Sequence, residues 1–474
     1  MARTAVTSLA LLAALGCGEA AGPAPSTPRI DYVDGAIEPV LGRGSAFYLE
    51  GFGFGDTQGT VRLARSGGGT VAAAVATWSD RTIRATVPDS AVSGTIVVTA
   101  AAGRQLSAQV HVLPHVTFDP STLGWTARTA FPRAPVGVAL AVGAVPGGSQ
   151  ATITLYAAGG AEPIGGDSSV VPDSGVYVAT VAPGGVVATW ARQNDSTVLP
   201  TPRAFAAAAY ANRFNSRFDG GALYVIGGID SSGRARPTVF VAPVSTTAVV
   251  GAFHPIEPLP APVAGAIAVV RRGRIYVIGG TDSIGRPQTS VFVGRIGPQG
   301  DIDGWYVQPS LSAPRAYGGG LVLDDRAIAF GGVSDSVPPG GGLDSLQPRW
   351  ASGDTAGVSL GSGFFSSGWA GAGAVLPAGR SQFATLALGD VALVVGGVYA
   401  GAPAAECLAA TITGDSLGAF TGPFGSPTIA GQGGGTLVGP SGATWQDTDG
   451  SWHGIVLGGI DLATRLRRDA VWGF

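Results

Sequence analysis

Six stretches decide the fold: TLYAAGG at 154–160, ALYVIGG at 222–228, RIYVIGG at 274–280, RAIAFGG at 326–332, VALVVGG at 391–397 and HGIVLGG at 453–459. Each is an apolar run of strand length that ends in a glycine doublet. The doublets fall 68, 52, 52, 65 and 62 residues apart. Self-similarity at a period near 50 marks one structural unit repeated along the chain. Other features keep the same phase. A turn with arginine precedes four of the doublets: Pro132-Arg133, Pro202-Arg203, Pro314-Arg315 and Gly379-Arg380. Pro262-Val263 takes that place in the third unit, and the sixth, at SPTIAGQGGG (426–435), has no clear counterpart. An aromatic closes most units: Trp125, Trp190, Phe253, Trp305, Trp369 and Phe420.

Doublet, arginine turn and closing aromatic together resemble the kelch-type β-propeller, over about residues 115–474. The resemblance implies one four-stranded antiparallel blade per repeat, six in all. Strand b carries the doublet. Strand c is the next alternating run, as in TSVFVGRI (289–296), and strand d reaches the aromatic, as in DIDGWYV (301–307). The last repeat supplies b and c (RRDAVWGF, 467–474) but no d. STLGWTARTAFPRAP (121–135) aligns with DIDGWYVQPSLSAPR (301–315), so the strand near Trp125 is expected to close the sixth blade. Closure of this kind leaves no unpaired edge to invite aggregation.

Composition agrees with an exported, β-rich and turn-rich chain. Glycine accounts for 77 of 474 residues without a Gly-X-Y period, which excludes collagen. The 45% hydrophobic share is too high for a disordered chain. A net charge of −3 over this length argues against nucleic acid as a partner. Every basic residue is Arg, so lysine chemistry is excluded.

Residues 1–17, MARTAVTSLALLAALGC, read as a signal peptide with Arg3 as its charged region. Ala14-Leu15-Gly16-Cys17 resembles a bacterial lipobox, although Leu15 stands one place nearer the cysteine than the usual pattern has it. The resemblance implies lipidation at Cys17. The only membrane contact is then the lipid anchor, on the outer membrane or elsewhere in the cell envelope; without it the protein is periplasmic or secreted. Residues 18–27 read as a flexible linker. Cys407, alone after Cys17, has no partner for an intrachain disulfide and sits in a strand-like apolar run, as a buried inert thiol would.

Residues 28–113 carry short β-rich runs at spacings that suggest a small antiparallel sandwich. The run Gly51-Phe52-Gly53-Phe54-Gly55-Asp56, then Trp78-Ser79-Asp80, Ile83, Val87-Pro88 and Gly94, resembles the IPT/TIG immunoglobulin-like domain. Such modules act as spacers or binding units beside a larger domain, here the propeller of 114–474.

The chemistry in the sequence is sparse. In an up-and-down blade the d-to-a and b-to-c connections share one end. Arg133, Arg203, Arg315 and Arg380 should therefore gather at one mouth. Asp230, Arg234 and Arg236, Asp282 and Arg286, and Asp461, Arg465 and Arg467 join them from the stretches after the doublets. Two roles fit these guanidinium groups: bidentate recognition of a carboxylate-bearing ligand, or capping of strands and pairing with the local aspartates. The longest loop, after Gly332, adds Arg349 and Trp350. The histidines (111, 115, 254 and 453) match no zinc spacing. Asp301-x-Asp303-Gly and Asp447-x-Asp449-Gly are fragments of calcium loops without the remaining ligands, and Asp-Gly turns explain them. No catalytic residue, metal or cofactor is assigned. The expectation is a monomeric envelope protein that binds or scaffolds a protein or glycan ligand at the propeller mouth. The alternative is a carbohydrate-active enzyme, sialate mutarotase-like or galactose oxidase-like; the oxidase would need ligands this sequence does not align.

Overall fold

The computed structural model describes residues 27–474 apart from 38, 148–149, 164–169, 213–217, 324–325, 335–351, 358–362, 400–401, 405, 426–436, 462–465 and 468. Cys17, Arg349, Trp350 and Arg465 lie outside the described residues, as does the side chain of Asp461. The chain is all-β, built mainly of antiparallel sheets, with one short 3-10 turn among the described residues, at Pro120–Thr122. Among the described residues no helix is long and apolar enough to cross a membrane.

Two sheets form the N-terminal unit. One orders its strands Arg29–Val33, Ala46–Phe52, Thr82–Thr86 and Ala74–Trp78; the other orders Val40–Gly42, Gln105–Leu113, Gly94–Thr99, Thr60–Ala64 and Thr70–Ala72. Strands such as Thr60–Ala64 alternate buried and exposed residues, so each sheet turns one apolar face inward. Phe47, Leu49, Leu63, Ile83, Ile96 and Val98 meet in one core with contributions from both sheets. Gly53 and Gly55 sit at φ +82° and +76°, a region open to glycine. That bend lets Phe54 bury completely, edge-on to Trp78, whose Nε1 donates to the Gly55 carbonyl at 2.7 Å.

Among the described residues six further sheets of four or five strands follow, with three smaller ones beside them. Their innermost strands are Ala139–Gly147, Ala207–Asn212, Ile267–Arg271, Gly319–Val322, Ala384–Leu388 and Ser441–Gln446. Each innermost strand packs beside the next, and Ser441–Gln446 returns to Ala139–Gly147, which closes the cycle. Alanine and glycine dominate these strands because neighbours converge there. A Cβ on Gly320 would lie 2.9 Å from Ile267, and one on Gly143 would lie 2.5 Å from Tyr210. The second strands, such as Gly221–Ile226 and Val391–Val395, are buried along their whole length. In the sixth sheet the order is Ser441–Gln446, Trp452–Leu457, Val471–Gly473 and then Thr126–Ala127. Thr126 pairs with Gly473 and Ala127 with Trp472, so the segment beside Trp125 supplies the outer strand.

The glycine doublets join the sheets. Both glycines of every doublet have positive φ, from +64° to +96°. The second glycine donates its N–H to a carbonyl of the next sheet: Gly160 to Arg203, Gly280 to Arg315 and Gly332 to Arg380, each at 2.8 Å. Gly228 donates to Val263 at 2.8 Å, Gly397 to Leu437 at 2.6 Å, and Gly459 closes the ring on Pro135 at 3.2 Å. The first glycine must lack a side chain, since a Cβ on Gly159, Gly227 or Gly279 would stand 2.3 Å from that same carbonyl.

Candidate functional site

The bonds from the doublets fix the register of the arginine turns. Arg203, Arg315 and Arg380 occupy equivalent places in three of the sheets, with Val263 and Leu437 in two others. Arg133 does not: in the first sheet that place belongs to Pro135, two residues later. The three equivalent arginines are withdrawn from solvent, at 4%, 2% and 0% exposure. Arg315 donates to the carbonyl of Gly331, and Arg380 to that of Gly396 at 3.2 Å and to the Glu406 carboxylate. Arg203 donates to the Pro202 carbonyl at 2.8 Å and lies 5.3 Å from the Phe240 ring centroid. Burial pushes the Arg203 and Arg380 guanidinium groups below their ordinary range, against the pull of Asp230 on one and Glu406 on the other. Arg133 is half-buried instead, held by Glu162, by Asp173 at 2.5 Å and by Tyr177 at 3.5 Å.

The loops after the doublets are self-contained. Asp230 Oδ1 accepts from the backbone N–H groups of Ser232 and Arg234 at 2.9 and 3.3 Å, and its Oδ2 accepts from Arg236 at 2.5 Å. Burial raises the Asp230 pKa, but the Ser232 and Arg236 hydrogen bonds outweigh it and hold the carboxyl down at about 2. Asp282 repeats the pattern, accepting from Ile284 and Arg286 N–H groups at 3.0 and 2.9 Å. Both aspartates therefore shape their own hairpins, while the side chains of Arg234 and Arg286 are left exposed.

Two residues beyond each turn the chain takes a left-handed conformation in all six sheets, at Gly137, Phe205, Gly265, Tyr317, Gln382 and Gly439. Phe205 N–H donates to Gly137, Gly265 to Phe205, Tyr317 to Gly265, Gln382 to Tyr317 and Gly439 to Gln382, all at 2.8–2.9 Å. Three of the six are not glycine, and strain of this kind concentrates where surroundings or function demand it. The Phe205 and Tyr317 rings meet edge-on at 5.6 Å. Burial pushes the Tyr317 phenol up to about 12. Gln382 is 5% exposed, and neither amide atom has a hydrogen-bond partner among the described residues. Sequence reasoning passed over Phe205, Tyr317 and Gln382. The signal was there, in Pro-Arg-Ala-Phe, Pro-Arg-Ala-Tyr and Gly-Arg-Ser-Gln set against glycine in the other units.

The opposite end of the ring carries the N-terminal unit, fastened at two places. At one, Asp34 receives Arg272 Nε at 3.4 Å and Arg271 at 3.5 Å, and the Arg272 guanidinium lies 3.6 Å from the centroid of Tyr48. At the other, Gln446 donates to the Pro114 carbonyl at 3.1 Å and Trp452 to that of Val116 at 2.8 Å. Between unit and ring lies a cavity of about 1240 Å³, with His111 and His115 on one wall and Asp390, Trp445 and Trp452 on the other. Asp447 belongs to this end. It accepts from His453 at 3.1 Å and from Gly184 N–H at 2.8 Å, while Asp449 caps the Ser451 N–H at 2.8 Å. Asp303 faces Arg295 at 3.8 Å. Among the described residues no group of three or more His, Cys, Asp or Glu could hold a metal ion. Cys407 is fully buried and burial pushes its thiol up to about 12. No protein-family model matches the chain, and no curated protein matches it in sequence.

Proposed function

We propose that the ring of six sheets is a six-bladed kelch-type propeller, closed by its own N-terminal strand and preceded by an IPT/TIG-like sandwich. The protein is exported, anchored in the cell envelope through a lipidated Cys17, and binds a protein or glycan ligand at the end of the propeller that carries the doublets. The cyclic packing of the innermost strands and the closing pairing of Thr126–Ala127 support the architecture.

One observation carries the binding reading. The hairpins 229–236 and 281–287 are held rigid by Asp230 and Asp282, yet they leave the cationic side chains of Arg234 and Arg286 exposed. Ile229 bridges to Ala204 and Thr281 to Ala264, so both hairpins stand beside the ring of left-handed residues at Phe205 and Gly265. A preorganised cationic rim loses little entropy when a polar or anionic ligand arrives. The buried arginines beneath it bond within their own sheets and leave recognition to this rim. The full chain should be screened against arrays of glycans and acidic peptides. For any ligand captured, Arg234→Ala and Arg286→Ala should each weaken binding roughly two- to fivefold, as exposed charge contacts do, with no change in melting temperature. Unchanged affinity in the double variant would remove this end of the ring as the site.

A further inference from the structure

We propose that a small cavity at the first fastening, beside Asp34 and Arg272, is a second binding site, built for a free α-amino acid with an uncharged side chain. The site goes beyond the rim described above and lies at the other end of the ring. Its volume of about 270 Å³ is just below the roughly 300–1000 Å³ of pockets that take drug-sized ligands, so its occupant is a small molecule. Strand Ala46–Phe52 of the N-terminal unit brings Glu50 to its wall, and strand Val291–Ile296 of the ring brings Arg295.

The charges of the wall select the ligand. Several are already committed. Asp34 holds Arg271 and Arg272, and Arg274 donates to the Arg272 carbonyl at 3.0 Å. Glu50 and Arg295 are different. Each lies in the field of the other, yet they form no ion pair, and the Glu50 carboxylate accepts no hydrogen bond among the described residues. Arg295 meets Asp303 at 3.8 Å through Nε, which leaves its terminal nitrogens to the cavity. Both side chains can be reached: Glu50 is half-buried and Arg295 is 65% exposed. Burial pushes the Glu50 carboxyl up, against the pull of Arg274 and Arg295, so a positive group beside it is worth more than at an open surface. The two units cannot close further to pair these charges directly. A Cβ on Gly35 would lie 2.5 Å from the backbone of Arg272 and Gly273, so the turns already touch.

A lone carboxylate would satisfy Arg295 and be repelled by Glu50. A lone amine would satisfy Glu50 and be repelled by Arg295. An α-amino acid carries both charges on one carbon and answers both, with its carboxylate in the Arg295 fork and its ammonium on Glu50. Val40, Ala211, Val270 and Ile296 add apolar wall for its side chain. A charged side chain would find only groups already engaged.

The test uses the full chain with leucine, valine, methionine and phenylalanine as probes. Isocaproate, which is leucine without its amine, and isoamylamine, which is leucine without its carboxylate, are the comparisons. Isothermal titration calorimetry and saturation-transfer NMR read binding directly. Saturable binding of at least one of the four amino acids is expected, with neither single-charge analogue binding. Glu50→Gln should weaken binding about tenfold and Arg295→Ala, at the more exposed group, about threefold. Melting temperature, followed in parallel, separates binding from folding, and Arg104→Ala on the exposed surface of the N-terminal unit should leave binding unchanged. Failure of all four amino acids, binding of either analogue as tight as that of leucine, or binding indifferent to both variants overturns the proposal. Because the rim variants Arg234→Ala and Arg286→Ala are scored on a separate ligand screen, failure there and failure here are distinguishable.

Discussion

Gly279→Ala is the sharpest test of how the sheets are joined. Gly279 has φ +65°, and an added Cβ would sit 2.3 Å from the Arg315 carbonyl oxygen. A real Cβ never comes that near, and the atom it meets is backbone, so the two sheets must part. Separation breaks the 2.8 Å bond from Gly280 N–H to the same carbonyl. The conformational cost of alanine at this φ is about 1–2 kcal/mol. Leaving a buried donor unsatisfied adds about 1–3 kcal/mol, for a sum of roughly 2–5 kcal/mol. Gly184 is the control. It too has a left-handed φ, +80°, but nothing lies within 4 Å of its would-be Cβ. Gly184→Ala therefore pays only the first cost, about 1–2 kcal/mol. Urea unfolding of both variants, followed by tryptophan fluorescence, measures the difference. Equal destabilisation by the two would refute the doublet as the joint between sheets.

The remaining predictions draw on the same structure. Arg315→Ala, at a side chain 2% exposed that bonds the Gly331 carbonyl, should cost about 2–3 kcal/mol, whereas Arg286→Ala should leave calorimetric stability unchanged. A chain beginning at residue 134 lacks Thr126–Ala127 and the Trp125 ring that meets Phe474 edge-on at 5.0 Å; it should aggregate on size-exclusion chromatography where the 114–474 chain elutes as a monomer. The Asp230 carboxyl, held at about 2, lies below its unfolded value of roughly 3.9. Its contribution is therefore complete above about pH 4 and lost as pH falls through about 2, and amide exchange at Ser232 and Arg234 should accelerate over that range. Asp230→Asn should abolish that acid dependence.

The doublets and the partner of the last strand were legible because glycine at a forced positive φ cannot be replaced, so the pattern survives any surface change. The arginine turns were only half legible. Matching Pro132-Arg133 to Pro202-Arg203 by composition placed Arg133 two residues out of register. Aligning the segments around Trp125 and Trp305 puts Pro135 opposite Arg315, as the hydrogen bonds do. A dipeptide can recur by chance; a strand cannot shift by one residue without turning its buried face outward. Burial of Arg203, Arg315 and Arg380 was hidden for a different reason. Arginine in such a turn reads as surface, and only the folded sheet brings round the carbonyls of Gly331 and Gly396 and the Glu406 carboxylate that let Arg315 and Arg380 go inside. The cavity at the opposite end was illegible, since its walls come from segments more than 270 residues apart, from His111 and His115 to Asp390 and Trp445.

These assignments narrow where ligand chemistry can reside. The doublet glycines spend their N–H groups on the next sheet, the buried arginines turn their terminal nitrogens to carbonyls and Glu406, and Asp230 and Asp282 spend their oxygens on their own hairpins. Groups already paired inside the fold have little left to offer a ligand. What the repeat leaves unspent are the positions where one sheet differs from another. At the doublet end these are the exposed Arg234 and Arg286 and the non-glycine left-handed residues Phe205, Tyr317 and Gln382. Symmetry here is the work of folding, and departures from it mark the surface left for recognition.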